Sequence, residues 1–512
     1  MNNRFREIFW YNRLRRILTS VLVLALLTGA GIGAYVVYTP DLHCAEGVDR
    51  PEKGAECIGV SGDGYDFGVP ALRRVAQAVA RENRTLKSGE YATVALLLPL
   101  TSTDSGTATK VINEVQGAFL EQYSANHENN DQVPKIRLVL ANSGRGSEQW
   151  SSAVDRIKSM TGAPDNLRAV SGIAISSPST KAAVKALTAA HIPVIGTTIT
   201  ADDIANSAAG DPYPGLARVS PTNRDEARAL AQFGKVDAKK AVIVQDTRSS
   251  DYYTSTLKTA FLALLKGAPY PPQIFTSPPD STEEGTTSNT FRQITQIICE
   301  TQADTVFFAG RHTQLRQFVN ELGARACQER PFTILTGDEA SYLGRDSKLD
   351  KNALTRKVTV RYASLSHPDA WTTGTPPKTG GSAADYKRFA DLLAKAATPG
   401  VGPIGPSQLA DGQAIVAYDA LTLAVHGIRN ATVKGRTLPD LTDVGTQWPQ
   451  IKGTYNRIPG ASGWICLDNH GNPYNKAVPI VQLTPEGTQR FVKIAWPEGK
   501  PPTQACLPPA VS

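Results

Sequence analysis

Two hydrophobic patterns divide the chain. Residues 17–38, ILTSVLVLALLTGAGIGAYVVY, form one apolar run without a charge. At about 1.5 Å per residue, that run is long enough to cross about 30 Å of hydrocarbon as a single helix. From residue 92 a second pattern begins, in which short apolar runs alternate with amphipathic stretches. TVALLLPL (93–100), IRLVLA (136–141), LRAVSGIAI (167–175), IPVIGT (192–197), AVIVQD (241–246), DTVFFAG (304–310) and FTILTGD (332–338) read as strands buried on both faces. Between them, helical spacing predicts helices over 107–123, 148–160, 178–190, 223–233, 251–265, 290–302 and 312–325. In the first of these, Val111, Val115, Ala118 and Phe119 share a face. Strands of this length separated by helices argue for βαβ units, parallel sheets and right-handed crossovers.

The flanks differ. Residues 39–68 are rich in Gly, Pro and acids and predict an irregular segment, followed by an amphipathic helix over 70–83 with Leu72, Val75, Ala76 and Val79 on one face. A Pro/Gly-rich stretch at 366–381 reads as a linker before helices 382–396 and 407–429. The C-terminal part holds short β segments (WICLD, VPIVQL, RFVKIAW), and residues 497–512 form a Pro-rich tail.

Charge sharpens the reading of the N-terminus. The 512-residue chain has a formal charge of +7, and residues 1–16 hold five Arg against Glu7, a net +4. The remaining +3 is unremarkable and points to no acidic partner. Arginines directly before the apolar run place a basic tail, 1–16, in the cytoplasm and make 17–38 a transmembrane signal anchor. Trp10, Tyr11, Tyr35 and Tyr38 stand at the two ends, where interfaces would fall. The competing reading is a cleaved signal peptide with Thr28-Gly29-Ala30 as its cleavage site, but the run exceeds the usual apolar region. Either way the bulk of the protein lies outside the cytoplasm.

Cysteine usage agrees. Cys44, Cys57, Cys299, Cys327, Cys466 and Cys506 are even in number and lie in the exported part, so disulfides are expected. Loop closure favours near neighbours, hence Cys44–Cys57, Cys299–Cys327 and Cys466–Cys506. Metal-binding CxxC or CxxH spacings are absent, as are a GxSxG elbow, a GxxxxGK[ST] loop, HExxH, and a GxGxxG between strand and helix. No cofactor is implied. The seven His are scattered, and basic residues form no stripe interleaved with aromatics, so nucleic acid is not indicated as a partner. Such a chain leans towards binding rather than catalysis.

Candidate binding residues lie where strands end and helices begin, the place where open α/β sheets take ligands. Ser176 and Ser177 precede Pro178, so the turn is either a helix cap or a carboxylate site of hydroxyls and free N–H groups. Thr197, Thr198 and Thr200 precede Asp202 and Asp203 in a second such turn. Asp338 and Glu339 follow Gly337 at a third strand end, as partners for an ammonium group or as caps. Tyr252 and Tyr253, beyond Asp246, are either an aromatic wall or helix packing.

These segments carry a resemblance. VSGIAISSPSTKAA (170–183), IPVIGTTITADDI (192–204), DTVFFAG (304–310) and TGDE (336–339), in that order, resemble the branched-chain amino-acid (leucine/isoleucine/valine) binding proteins of ABC transporters, which have the type I periplasmic-binding fold. The resemblance covers residues 92–495 and implies two doubly wound parallel-sheet lobes joined by a three-strand hinge. It implies a first lobe of 92–232 plus 370–455 and a second of 235–365 plus 456–495, behind a disulfide-closed segment and helix at 39–90. It implies a ligand carboxylate at Ser176 or Ser177, with Thr198 and Thr200 touching carboxylate and ammonium. The ammonium would pair with Glu339 or Asp338, and Tyr252 or Tyr253 and Phe308 would supply aromatics, with Arg311 close by. Three features depart from the family: the membrane helix, the added 39–90 segment, and a loop after Asp246 that lacks the usual Tyr-Gly. The expected function is that of a membrane-tethered, extracellular solute-binding protein. It would clamp a small polar ligand, of the amino-acid class, for an ABC-type importer and its permease. The alternative is a ligand-sensing ectodomain that signals through a partner membrane protein, since the 16 residues inside are too few for a signalling domain.

Overall fold

The computed structural model describes residues 13–38, 42–52, 54–128, 132–280 and 283–509, without the side chains of 15 and 29–38. It comprises two units, Met1–Cys57 and Ile58–Ser512. In the first, helix α1 spans Arg13–Tyr38, and strands β1 (His43–Ala45) and β2 (Val48–Asp49) form an antiparallel hairpin. Among the described residues no helix is long and apolar enough to cross a membrane. Within the expected anchor, 17–38, side chains are described only to residue 28. Cys44–Cys57, Cys299–Cys327 and Cys466–Cys506 are all bonded, the pairing that loop closure favours.

The second unit is built on two sheets. Its first half runs β3 (Ile58–Ser61), α2 (Arg73–Asn83), β4 (Tyr91–Leu98), α3 (Ser105–His127), β5 (Lys135–Asn142), α4 (Trp150–Ser159), β6 (Leu167–Gly172), α5 (Pro178–Ala189), β7 (Val194–Gly196) and β8 (Leu216–Arg218). These strands take the order β3-β5-β4-β6-β7-β8, parallel except for β3, which runs antiparallel to β5. The stretch read as irregular from its Gly and Asp content thus contributes a buried strand to the sheet.

The chain then crosses to the second sheet. It continues α6 (Asn223–Gly234), β9 (Ala241–Asp246), α7 (Tyr252–Leu264), β10 (Gln273–Phe275), α8 (Thr287–Glu300), β11 (Thr305–Ala309), α9 (His312–Gly323), β12 (Phe332–Thr336) and β13 (Val358–Ala363). It returns for α10 (Ala383–Ala396) and α11 (Gln413–Ala431), which pack on α3, and crosses again into β14 (Val478–Leu483) and β15 (Gln489–Ala495). The second sheet has the order β10-β9-β11-β12-β13-β14-β15, its last two strands antiparallel. Three passages between the sheets result, after β8, after β13 and before β14.

The central parallel strands, β4, β6, β9 and β11, are buried on both faces because helices cover both. In the first half, Ala95, Leu97 and Val170 pack with Val154, Ile157 and Leu187 of α4 and α5. In the second, Val242, Phe308 and Ile334 face α8 and α9, while Ile243, Phe307 and Leu335 face α6 and α7 through Leu230 and Phe261. α6 therefore belongs to the second sheet's core, so the chain changes sheets before residue 223, ahead of the 232–235 crossing that the resemblance implies.

Candidate functional site

The carboxyl ends of β6, β7, β9, β11 and β12 carry the predicted polar turns, and the loops behind them meet between the two sheets. On the first-sheet side, Ser177 is the N-cap of α5: its Oγ accepts from Thr180 N at 3.2 Å and donates to Thr180 Oγ1 at 3.1 Å. Of the two readings of that turn, the cap is the one in place. Ser176 is buried, its Oγ accepting from Ala201 N at 3.4 Å. Thr198 Oγ1 lies 3.1 Å from the Ala174 carbonyl and 3.3 Å from Glu114 Oε1, donating to both. Thr200 is buried and its hydroxyl has no hydrogen-bond partner among the described residues.

On the second-sheet side an ion-pair network converges on Arg311. Its guanidinium donates to both oxygens of Asp251 at 2.7 Å and to Glu339 Oε1 at 2.8 Å, and stacks 4.7 Å from the Tyr253 ring centroid. The other Glu339 oxygen binds His312 Nδ1 at 2.8 Å. Burial opposes ionisation of Glu339, but Arg311 and His312 outweigh it and hold the carboxyl well below its usual range. Burial likewise disfavours the His312 imidazolium, and the Glu339 carboxylate reverses this, raising its pKa. Tyr253 is buried, its hydroxyl accepting from Glu339 N at 3.4 Å.

Asp338 behaves differently from its neighbour. It is buried, Oδ1 has no partner, and burial together with the Glu339 charge raises its pKa to about 7. Glu226, in the first turn of α6, is fully buried with no side-chain partner among the described residues, and burial followed by the Asp338 charge pushes it well up. Gly337 makes this crowding feasible: a Cβ there would stand 2.6 Å from the Tyr253 hydroxyl and 2.9 Å from Glu226 Oε2.

Helix α3 supplies what the strand-end turns do not. Lys110 is buried and donates from Nζ to the Ala174 carbonyl at 2.6 Å. One turn on, burial raises Glu114 to about 7. Asn113 donates to Asp411 at 2.8 Å, and Asp411 meets Arg345 of the second-sheet side at 3.5 Å. Beside these residues a cavity of about 410 Å³ opens, lined by Asp104, Thr109, His312, Arg316, Tyr342 and Arg345 among others.

The predicted residues thus separate into three groups. Ser176, Thr198, Thr200, Tyr253, Arg311, Asp338 and Glu339 are gathered at the facing strand ends. Tyr252 reaches across to the first half, where Lys181 Nζ sits 4.7 Å from its ring centroid. Phe308 is a correction: it is wholly buried, stacked on Phe275 and Phe318 at 5.6 and 5.4 Å, and its alternation along β11 points it into the core rather than towards a ligand. Lys110, Glu114, Glu226, Asp251 and His312 were missed. The signal for the first two was present, since the spacing that puts Val111, Val115 and Ala118 inside leaves 110 and 114 one turn apart on an adjoining stripe.

No family model matches the chain, and no curated protein matches it in sequence. Solved structures do match it in fold. A leucine-binding protein, LivK, from Thermotoga maritima is 16% identical with a TM-score of 0.55, over 80% of this chain and 99% of its own. The branched-chain amino-acid transporter substrate-binding protein LivJ from Streptococcus pneumoniae, in complex with isoleucine, is 15% identical with a TM-score of 0.54, over 79% and 99%. A solute-binding protein of an ABC transporter from Rhodopseudomonas palustris, in complex with p-hydroxybenzoic acid, is 16% identical with a TM-score of 0.54, over 79% and 97%.

Proposed function

We propose that this chain, which has the type I periplasmic-binding fold, is a solute-binding protein that clamps a small polar ligand between its two sheet-based lobes and delivers it to an ABC-type importer. The observation that carries the reading is a short link between the strand ends of the two sheets: Asn223 N donates to the Thr200 carbonyl at 2.7 Å, and Glu226, one turn on along α6, abuts Gly337 next to Asp338. Hydroxyls and backbone N–H groups suit a carboxylate, and an unpartnered buried carboxyl suits an ammonium, so an amino acid is the ligand class the site fits. Closure about the three interlobe passages is the mechanism. No step requires bond chemistry, which accords with a chain lacking hydrolase, phosphate-loop and metalloprotease motifs.

Tethering belongs to the same proposal. The uncharged run 17–38 behind five arginines anchors the chain in the cell membrane, N-terminus inside and bulk outside. The chain is then expected in the membrane fraction and to resist alkaline extraction; recovery in the soluble fraction would refute the anchor.

The test of binding is a thermal-shift screen of the full chain in detergent, against the amino acids and small aromatic acids. A ligand at a hundredfold its Kd adds about 2.7 kcal/mol to the native state, enough to raise the melting temperature measurably. Thr200→Ala and Asp338→Asn should abolish that rise. Absence of a shift with every compound overturns the proposal.

A further inference from the structure

We infer that the interlobe site takes an organic cation, a ligand with at least one ammonium or guanidinium group more than it has carboxylates, such as a cationic amino acid or a diamine. This rests on the solute-binding reading and names the ligand class within it.

The inference follows from pairing up the buried charges. Three cations at the site are already engaged, while Arg218, which donates to the Ala201 carbonyl at 2.9 Å, keeps Nε and Nη2 unpartnered among the described residues. Arg311 is shared between Asp251 and Glu339, Lys110 Nζ donates to the Ala174 carbonyl, and Arg345 faces Asp411. The other groups left over at the strand ends are acceptors. Among the described residues, Glu114 Oε2, Asp338 Oδ1 and both oxygens of Glu226 have no side-chain partner, and each residue is at least nine-tenths buried. Two uncharged side chains add to the row: Thr200 Oγ1 and Asn223 Oδ1 are also buried and unpartnered. They are held together, since Asn223 N donates to the Thr200 carbonyl at 2.7 Å, and Asn223 and Glu226 lie one turn apart on α6.

A buried acceptor without a donor costs about 1–3 kcal/mol, more for a charged one, so such a row is costly unless something supplies donors. An ammonium has three donors and no acceptor, which is the complement of this surface. An aromatic acid brings only negative charge, and a neutral amino acid brings as much negative charge as positive. Among the described residues no three acidic, His or Cys side chains converge to ligate a metal ion, which favours an ammonium over a divalent cation. The adjoining cavity of about 410 Å³ is lined by side chains of both charges, Asp104, Glu284 and Asp346 with Arg316, Arg345 and Lys348, and has room for a chain ending in a polar group.

Isothermal titration calorimetry of the full chain in detergent tests this with L-lysine, L-arginine, 1,4-diaminobutane, L-leucine and 4-hydroxybenzoate as probes. One of the three cations should bind at least about tenfold more tightly than leucine or the aromatic acid, the difference expected of one charge-assisted hydrogen bond. Lysine or arginine binding without the diamine identifies an amino acid, and the reverse identifies an amine; both support the inference. Glu226→Gln and Asp338→Asn should each weaken the cation at least about tenfold, while the melting temperature of the unliganded variant shows that it is folded. Leucine or 4-hydroxybenzoate binding as tightly as any cation overturns the inference and leaves the solute-binding reading standing. Failure of every probe, together with failure of the wider thermal screen, overturns both.

Discussion

Arg311 ties two acidic side chains of different elements to one guanidinium, bidentate to Asp251 at the N-cap of α7 and single to Glu339 beyond β12. All three are nearly inaccessible, with side-chain exposures of 12, 3 and 10%. Removing the cation strands two buried carboxylates, so Arg311→Ala is expected to cost about 3–5 kcal/mol in urea denaturation. Arg311→Lys restores the charge without the fork and should recover only part of that loss. Ser177→Ala removes the α5 cap and is expected to cost about 1 kcal/mol by the same measurement. Legibility at this scale followed the backbone. Thr198, Thr200 and Asp338 could be named because they stand where apolar runs end, a place the pattern locates. Lys110, Glu114 and Glu226 could not, because a long charged residue in a helix reads as a solvated face until a second lobe closes over it. Phe308 misled for a related reason: proximity to a strand end does not say which face of the sheet a side chain takes.

Among the elements, the α3–α11 contact is the closest. A Cβ on Gly117 would overlap the Ala414 carbonyl, a backbone atom that cannot step aside as a side chain can. Gly117→Ala is expected to destabilise by at least about 2 kcal/mol despite alanine's better helix propensity. Gly162→Ala, with nothing within 4 Å of the new methyl, should change stability by under about 0.5 kcal/mol. The paired thermal melts read the helix contact directly, and equal effects would show that α3 and α11 do not approach as described. The βα rhythm was legible because its strands are covered on both faces and so appear as unbroken apolar runs. β13 escaped for the opposite reason: in VTVRYA, Thr359 and Arg361 are only partly buried, and the alternation looks like ordinary chain unless period two is sought. β3 is four residues long amid glycines, and its pairing to β5 is a long-range fact that local pattern does not contain. α6 was found as a helix, yet its sheet depends on packing of Leu230 against the second core.

At the scale of the whole molecule, the buried carboxyls make stability a function of pH. Burial raises Glu114 and Asp338 to about 7 and Glu121 to about 8, against roughly 4 for a carboxyl in an unfolded chain. Between pH 6.5 and 8 the native state therefore holds protons that the unfolded state has already released, and stability must fall as pH rises. His312 acts in the same direction, because its raised pKa gives stability that is fully present below about 6.5 and lost on the way up. Glu339, held low, contributes a constant amount in this window and loses it only in acid. His367 and His426, lowered by burial, oppose the trend only below about pH 6.5, where the unfolded imidazoles take up protons. Each carboxyl loses about 1.4 kcal/mol per pH unit up to its own raised pKa and levels off above it. The melting temperature of the unliganded chain should accordingly fall by a few degrees from pH 6.5 to 8. The double variant Glu114→Gln with Asp338→Asn should flatten much of that slope, because an amide has no proton to lose. A wild-type profile that is flat or rises across the window would mean that these side chains are ionised and paired in the native state. The same result would remove the unpartnered acceptors on which cation binding depends.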